Sequence, residues 1–349
     1  MLQKMLKHGG FVLLLLTFGQ CNFGKRRVED ITKWKLVWEE EARQFSLIGS
    51  FDITPEETLV CHVPSEKSTY CLAKTSECWR FTTDGELKCE QIANLSGEAC
   101  FVFPAGPSQA QALHAGLVSG QQVTIKKYQN DTWQDAGSCT LNNPATSTAP
   151  TKGTACSIRE GEQLNGLIFL RQENPGQPSV TLIYDAASQT LEPSTTWECK
   201  EAKIPTAAMQ MAPDKVLLNH QDGRILILDK ENKLFSLSTG KKSKKAIFFM
   251  LKGREHMKRA MLAFYIEGPE GTELELCTLM NNSMQSSADL PIQPEEDDEQ
   301  ETDQVLGPTA KLVVPFTDKV YVLTQQSEQP ITYYEGSIQD PKKQKKAKK

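Results

Sequence analysis

Lys215-Val216-Leu217-Leu218-Asn219-His220, Gln221-Asp222-Gly223, Arg224-Ile225-Leu226-Ile227-Leu228-Asp229, Lys230-Glu231-Asn232-Lys233 and Leu234-Phe235-Ser236-Leu237 form one continuous stretch. Three β-branched and aliphatic runs are separated by two short polar turns, the signature of strands. Asp222-Gly223 marks a tight hairpin, because glycine accepts positive φ at no steric cost. The stretch therefore predicts a three-strand meander, and it sets the fold class as all-β.

The pattern repeats outward. Ala260 to Ile266 turns at Gly268-Pro269-Glu270-Gly271 and returns as Glu273 to Leu279. Lys311 to Phe316 turns at Thr317-Asp318 and continues as Lys319 to Thr324, with Ile331 to Tyr334 beyond. Gly166 to Arg171 turns through Glu173-Asn174-Pro175-Gly176 and returns as Ser179 to Asp185. Units fall at 55–95, 97–142, 153–204, 206–240, 245–292 and 308–338, lengths that suit propeller blades. The reading is a β-propeller-like domain over 35–338, with about six blades of three to four antiparallel strands. Lys35 to Ile53 would complete the first or last blade. Val28 to Gln44 is the best helical candidate, although Trp34, Leu36, Val37 and Trp38 read partly as a strand. No Trp-Asp or kelch signature recurs, so the rival architecture is tandem β-sandwich modules.

The N-terminus decides how the cysteines are read. Lys4 and Lys7 precede Phe11-Val12-Leu13-Leu14-Leu15-Leu16-Thr17-Phe18, followed by Gly19-Gln20 and Cys21. This is the order of a secretory signal peptide over 1–20, with an apolar run far short of the roughly 20 residues of a membrane span. Residues 21–34 read as a linker. The expected location is secreted or extracytoplasmic. The alternative is a lipid anchor on Cys21 at a membrane surface.

Export places thiols in an oxidising compartment. Eight of the 10 cysteines lie between 61 and 199: Cys61, Cys71, Cys78, Cys89, Cys100, Cys139, Cys156 and Cys199. They are disulfide candidates, with more possible pairings than spacing can choose among. One scheme staples each of three units (Cys61–Cys89, Cys100–Cys139, Cys156–Cys199) and closes Cys71–Cys78 as a short loop. The other staples hairpins, as Cys61–Cys71 and Cys78–Cys89. Cys277 pairs with Cys21 or stays a buried thiol. No cysteine is grouped with histidines at zinc spacing, so no metal and no cofactor are expected. Sequons place glycosylation candidates at Asn94, Asn130 and Asn281.

Charge excludes one partner class. A net charge of -5 offers no global attraction to nucleic acid. Glu295-Glu296-Asp297-Asp298-Glu299-Gln300-Glu301-Thr302-Asp303 lies in an acidic loop, 294–304, that reads as solvated. Residues 339–349 form a lysine-rich tail, and Lys342–Lys349 is suited to salt-sensitive contact with an acidic surface. Lys241-Lys242-Ser243-Lys244-Lys245 is a second basic run. His8, His62, His114, His220 and His256 are scattered, and no nucleophile elbow, zincin or phosphate loop is present. No catalytic residue is therefore assigned.

The expected function is an exported, non-enzymatic interaction protein, monomeric, whose loops bind a protein or glycan partner. Trp79, Trp133 and Trp197 are its candidate contact residues, because aromatics anchor interfaces. The alternatives are a secreted hydrolase with a carboxylate site in the central channel and a membrane-anchored lipoprotein scaffold.

Overall fold

The structure, a computed structural model, describes residues 35–39, 43–45, 58–73, 76–141, 153–170, 180–199, 205–220, 222–231, 234–238, 245–252, 258–268, 271–280, 283–286, 309–325 and 330–339. Residues 1–20, read above as a signal peptide, lie outside the described residues, as do Cys21, residues 294–304, Lys342–Lys349, Asn281 and Lys241–Lys244. Among the described residues, no helix is long and apolar enough to cross a membrane.

Each of the first five expected units holds four consecutive antiparallel strands, and the sixth holds three. Blade 1 comprises β3 (Leu59–Val63), β4 (Ser68–Leu72), β5 (Cys78–Asp84) and β6 (Glu86–Ile92). Blade 2 comprises β7 (Ala99–Pro107), β8 (Ala112–Ser119), β9 (Gln122–Gln129) and β10 (Thr132–Thr140). Blade 3 comprises β11 (Gly153–Glu160), β12 (Gln163–Leu170), β13 (Val180–Asp185) and β14 (Thr190–Pro193). Blade 4 comprises β15 (Pro205–Ala212), β16 (Lys215–His220), β17 (Arg224–Asp229) and β18 (Leu234–Ser238). Blade 5 comprises β19 (Lys245–Lys252), β20 (Lys258–Gly268), β21 (Gly271–Met280) and β22 (Ser283–Ser286). Blade 6 takes β23 (Thr309–Pro315), β24 (Lys319–Gln325) and β25 (Thr332–Gln339) from the end of the chain.

The fourth strand of blade 6 comes from the opposite end. β1 (Lys35–Trp38) pairs antiparallel with β25, Leu36 opposite Ile338, and β2 (Arg43–Gln44) pairs with the other half of β25. Within the segment read as part helix, the described residues 35–38 and 43–44 are strand, and they tie the two ends of the domain together by backbone pairing.

The blades close radially. β3 lies against β7, β7 against β11, β11 against β15, β15 against β19, β19 against β23, and β23 returns to β3. Six apolar clusters fill the six seams of this ring, one between each pair of neighbours. The chain folds as a six-bladed β-propeller, and the tandem-sandwich alternative is set aside by this closure.

The decisive stretch shows why. Successive strand residues point to opposite faces. Val216, Leu218, Leu226 and Leu228 pack into the seam with blade 3, while Leu217, Ile225 and Ile227 pack into the seam with blade 5. Both faces are buried, so the runs are continuously apolar, as expected of doubly covered strands. Gly223 closes the hairpin at φ 83°, its N–H donating to the His220 carbonyl at 2.9 Å.

Candidate functional site: the central channel and its mouth

Each sheet begins at the ring axis with its first strand, so six inner strands wall a channel of about 740 Å³. Leu59, Val102, Ala155, Ala208, Phe248 and Met250 make much of that wall apolar. The charged side chains among the described lining residues are Arg159, Lys245 and Lys252, with no aspartate or glutamate. Glycosidase chemistry uses two carboxyl groups facing each other across the scissile bond. The described residues of the channel wall supply neither.

The C-terminal ends of the inner strands meet at one mouth, and polar bonds stitch neighbouring blades there. Between blades 6 and 1, His62 Nε2 lies 3.1 Å from Thr317 Oγ1, and Thr69 Oγ1 donates to the Pro315 carbonyl. Between blades 5 and 6, the Lys252 N–H donates to the Thr317 carbonyl at 2.6 Å. Between blades 1 and 2, Ser65 Oγ donates to the Gln111 carbonyl at 3.2 Å and accepts the Gln111 N–H at 2.9 Å. Between blades 3 and 4, the Arg159 N–H donates to Gln210 Oε1 at 2.7 Å.

One corner is built more closely than the rest. Ser108, on the turn after β7, holds two side chains at once. Its hydroxyl oxygen accepts from Arg159 Nη1 at 2.7 Å, and its carbonyl accepts from Gln111 Nε2 at 3.1 Å. Gln111 is only 6% exposed, and its Oε1 is buried with no hydrogen-bond partner. A buried acceptor left unsatisfied costs about 1–3 kcal/mol. Across the mouth, Met211 is 40% exposed, the single exposed large hydrophobic side chain among the described residues.

His62 is part of the stitching. Burial lowers its pKa to about 4, against an opposing hydrogen bond with the Ser68 carbonyl. The ring is therefore neutral near pH 7. His114 is buried between the rings of Phe103 and Tyr184, and His220 is fully buried on blade 4. His8 and His256 lie outside the described residues. No group of three or more His, Cys, Asp and Glu side chains suited to a metal ion occurs among the described residues.

The cysteine schemes need correction. Cys61, Cys71, Cys78, Cys89, Cys139 and Cys156 are free thiols. Register explains the four in blade 1. Val60 opposes Cys71, Phe81 opposes Cys89, and Leu72 opposes Cys78. Cys71 and Cys89 therefore share the face toward blade 6, while Cys61 and Cys78 share the face toward blade 2. Cys61–Cys89, Cys71–Cys78, Cys61–Cys71 and Cys78–Cys89 each join opposite faces of one sheet. The two same-face combinations lie two strands apart, roughly 9.5 Å, beyond the roughly 4.4–6.8 Å Cα spacing of a disulfide. Cys100 and Cys139 lie on β7 and β10, three strands apart. Cys156 and Cys199 are both buried in the seam between blades 3 and 4, without a bond to Cys156. These thiols act as small apolar side chains. Burial pushes Cys78 up to about 11 and Cys89 and Cys156 up to about 12. Cys61 and Cys71 are raised further by the same cause.

The tryptophans are also corrected. Trp79 and Trp197 are buried in seams, at 6% and 1% exposure. Trp133 packs partly against the seam between blades 1 and 2, and its indole N–H donates to the Ala93 carbonyl at 2.8 Å. None of the three stands free at the channel mouth. Asn94 and Asn130 are exposed, the latter in the β9–β10 turn at φ 53°.

Sequence reasoning did not find Ser108, Gln111, Arg159, Met211 or Lys252. Each sits at or just beyond the end of a first or second strand, so aligning the units by strand register would have placed them at one mouth.

No protein-family model matches the chain. No curated protein matches it either. Solved structures do. One, titled as a protein of unknown function from Dyadobacter fermentans DSM 18053, is 10% identical over 86% of this chain and 99% of that one, with a TM-score of 0.51. Another, titled BBS1N in complex with ARL6DN, is 11% identical over 87% of this chain and 96% of that one, with a TM-score of 0.44. At such identities the likeness concerns the fold.

Proposed function

We propose that this protein is an exported, non-enzymatic interaction module that takes a protein partner at the mouth formed by the C-terminal ends of its inner strands. The observation that carries this reading is the mouth itself. In a chain with 44 acidic and 39 basic residues, the described channel wall holds cations and no acid, and it carries the exposed Met211. Methionine suits adaptable binding surfaces. A protein partner fits better than a glycan. Sugar hydroxyls are donors that carboxylates would accept, and the tryptophans that would stack on a ring are packed in the seams.

Export rests on residues 1–20. The buried thiols are compatible with it, because a thiol held above pH 10 and out of solvent is a poor nucleophile. Exposed Asn94 and Asn130 would then be open to glycosylation, Asn130 on an outer-strand turn. Mass spectrometry of the mature N-terminus tests the route. A chain beginning at Gln20 or later supports free secretion, and a diacylglyceryl Cys21 supports the anchored alternative.

The partner site is tested by photo-crosslinking. A photoreactive amino acid at Met211 should give a discrete adduct in the native secretory fluid or culture. The same group at Glu86, on the exposed β5–β6 turn, should give none. Equal crosslinking from both positions would refute the site.

A further inference from the structure

We infer that the Ser108 corner of this mouth captures the C-terminal end of a peptide chain, a specification that rests on the interaction reading above. Three observations meet there. Arg159 presents a guanidinium with one Nη1 bond to Ser108 and no carboxylate partner among the described residues. Gln111, nine-tenths buried and anchored on the same Ser108, carries an unpartnered Oε1 in the channel wall. The same channel lining carries the apolar side chains of Val102, Leu164 and Met211.

A ligand complementary to this corner offers an acceptor anion next to a single N–H donor, with an apolar group attached. The last residue of a peptide has that order. Its terminal carboxylate accepts from the Arg159 fork, a charge-assisted geometry that guanidinium favours over ammonium. Its backbone N–H donates to Gln111 Oε1 and satisfies the orphan acceptor. Its side chain enters the apolar wall. An acidic side chain within a chain would engage Arg159 but would not place its own N–H beside the carboxylate in the same way. An unprotonated inorganic anion such as sulfate would leave Gln111 unsatisfied, and no inorganic anion carries an apolar group for the wall.

The probe is an N-terminally fluorescein-labelled hexapeptide, Gly-Ser-Gly-Ser-Gly-Leu, with a free C-terminal carboxylate. It is compared with its C-terminal amide by fluorescence anisotropy on the full chain. The free acid should bind at least tenfold more tightly than the amide, with affinity falling as salt rises. Arg159→Ala should weaken the free acid at least tenfold and Arg159→Lys by less. Gln111→Leu should weaken the free acid and the amide by a similar factor, because both carry the backbone N–H that Gln111 Oε1 accepts, so the acid-over-amide preference should persist. Melting curves within a few degrees of the parent show that each variant folds. Because Gln111 also anchors the turn, Gln111→Glu serves as a second variant: it should weaken the free acid by placing like charge beside it.

Equal binding of acid and amide, or an Arg159→Ala variant that binds like the parent, would overturn the proposal. If the Met211 crosslink forms while the free acid does not bind, the interaction reading stands and end-capture falls. If neither is seen, both fall.

Discussion

The seam between blades 2 and 3 and the seam between blades 4 and 5 are built from different materials. The first is joined by backbone: Leu164 and Gln163 of β12 pair with Gly106 and Pro107 of β7. It is filled with rings, Phe103 lying 5.5 Å from His114 and 5.8 Å from Tyr184. Those rings take the space of absent side chains. A Cβ at Gly116 would fall 1.9 Å from the Phe101 ring, and one at Gly166 would fall 2.3 Å from Phe103. The second seam is filled by Ala207, Leu217, Ile225, Ile227, Ala246 and Leu262, with Met209 and Phe248 partly buried against it. The described strands of blades 4 and 5 form separate sheets. The difference maps onto the mouth. Arg159 and Gln111 stand at the end of the ring-filled seam, where a fixed position serves directional hydrogen bonds. Met211 stands at the edge of the aliphatic one, where a flexible thioether can adjust.

The largest effect should come from emptying the rigid seam. Phe103→Ala removes the ring at its centre and should cost about 3–5 kcal/mol in urea unfolding. A cost near 1 kcal/mol would mean that the seam collapses as readily as an aliphatic one, and the contrast would be lost.

The next effect is a pH dependence that belongs to the same seam. Burial, assisted by the Lys127 ammonium and opposed by the hydrogen bond to the Ala112 carbonyl, lowers His114 to about 4. In the unfolded chain it titrates near 6.5. The folded pKa is depressed, so the unfolded state takes the proton first as pH falls. His114 therefore contributes full stability above pH 6.5 and loses it progressively between about 6.5 and 4, by about 3 kcal/mol in all. Denaturant midpoints from pH 7 to 4 should fall more steeply in the parent than in His114→Phe. Parallel curves would show that the imidazole is not buried neutral.

Gly116→Ala should cost about 1–3 kcal/mol through overpacking against Phe101, read as a lowered melting temperature. The smallest effect lies on the other side of the comparison. Met211→Ser should change stability by less than about 0.5 kcal/mol, as exposed positions do, while reducing the affinity of the leucine-ended peptide. A Met211→Ser variant that unfolds early would place this residue in the core and not on the rim.

Much of the fold is legible in the sequence because a strand buried on both faces leaves an unbroken apolar run. Residues 216–218 and 225–228 announce two seams at once. The closing role of Lys35 to Trp38 is readable for a related reason, since blade 6 otherwise lacks a fourth strand. The cysteines were not legible. Whether Cys61 and Cys71 share a face depends on which residue of β4 opposes which residue of β3, and spacing along the chain does not carry that register. The site was not legible either. Ser108, Gln111, Arg159, Met211 and Lys252 span more than a hundred residues without a local motif, and only ring closure brings them to one mouth. The tryptophans misled because an aromatic on a strand reads the same in sequence whether it anchors a partner or fills a seam.

The most direct test of the mouth is backbone hydrogen exchange on the full chain with and without the leucine-ended free-acid peptide. Protection should rise in segments covering 108–111, 159–163 and 210–213 and stay unchanged in the outer strands 86–92 and 132–140. Protection confined to those outer strands, or none at a saturating peptide concentration, would contradict the account.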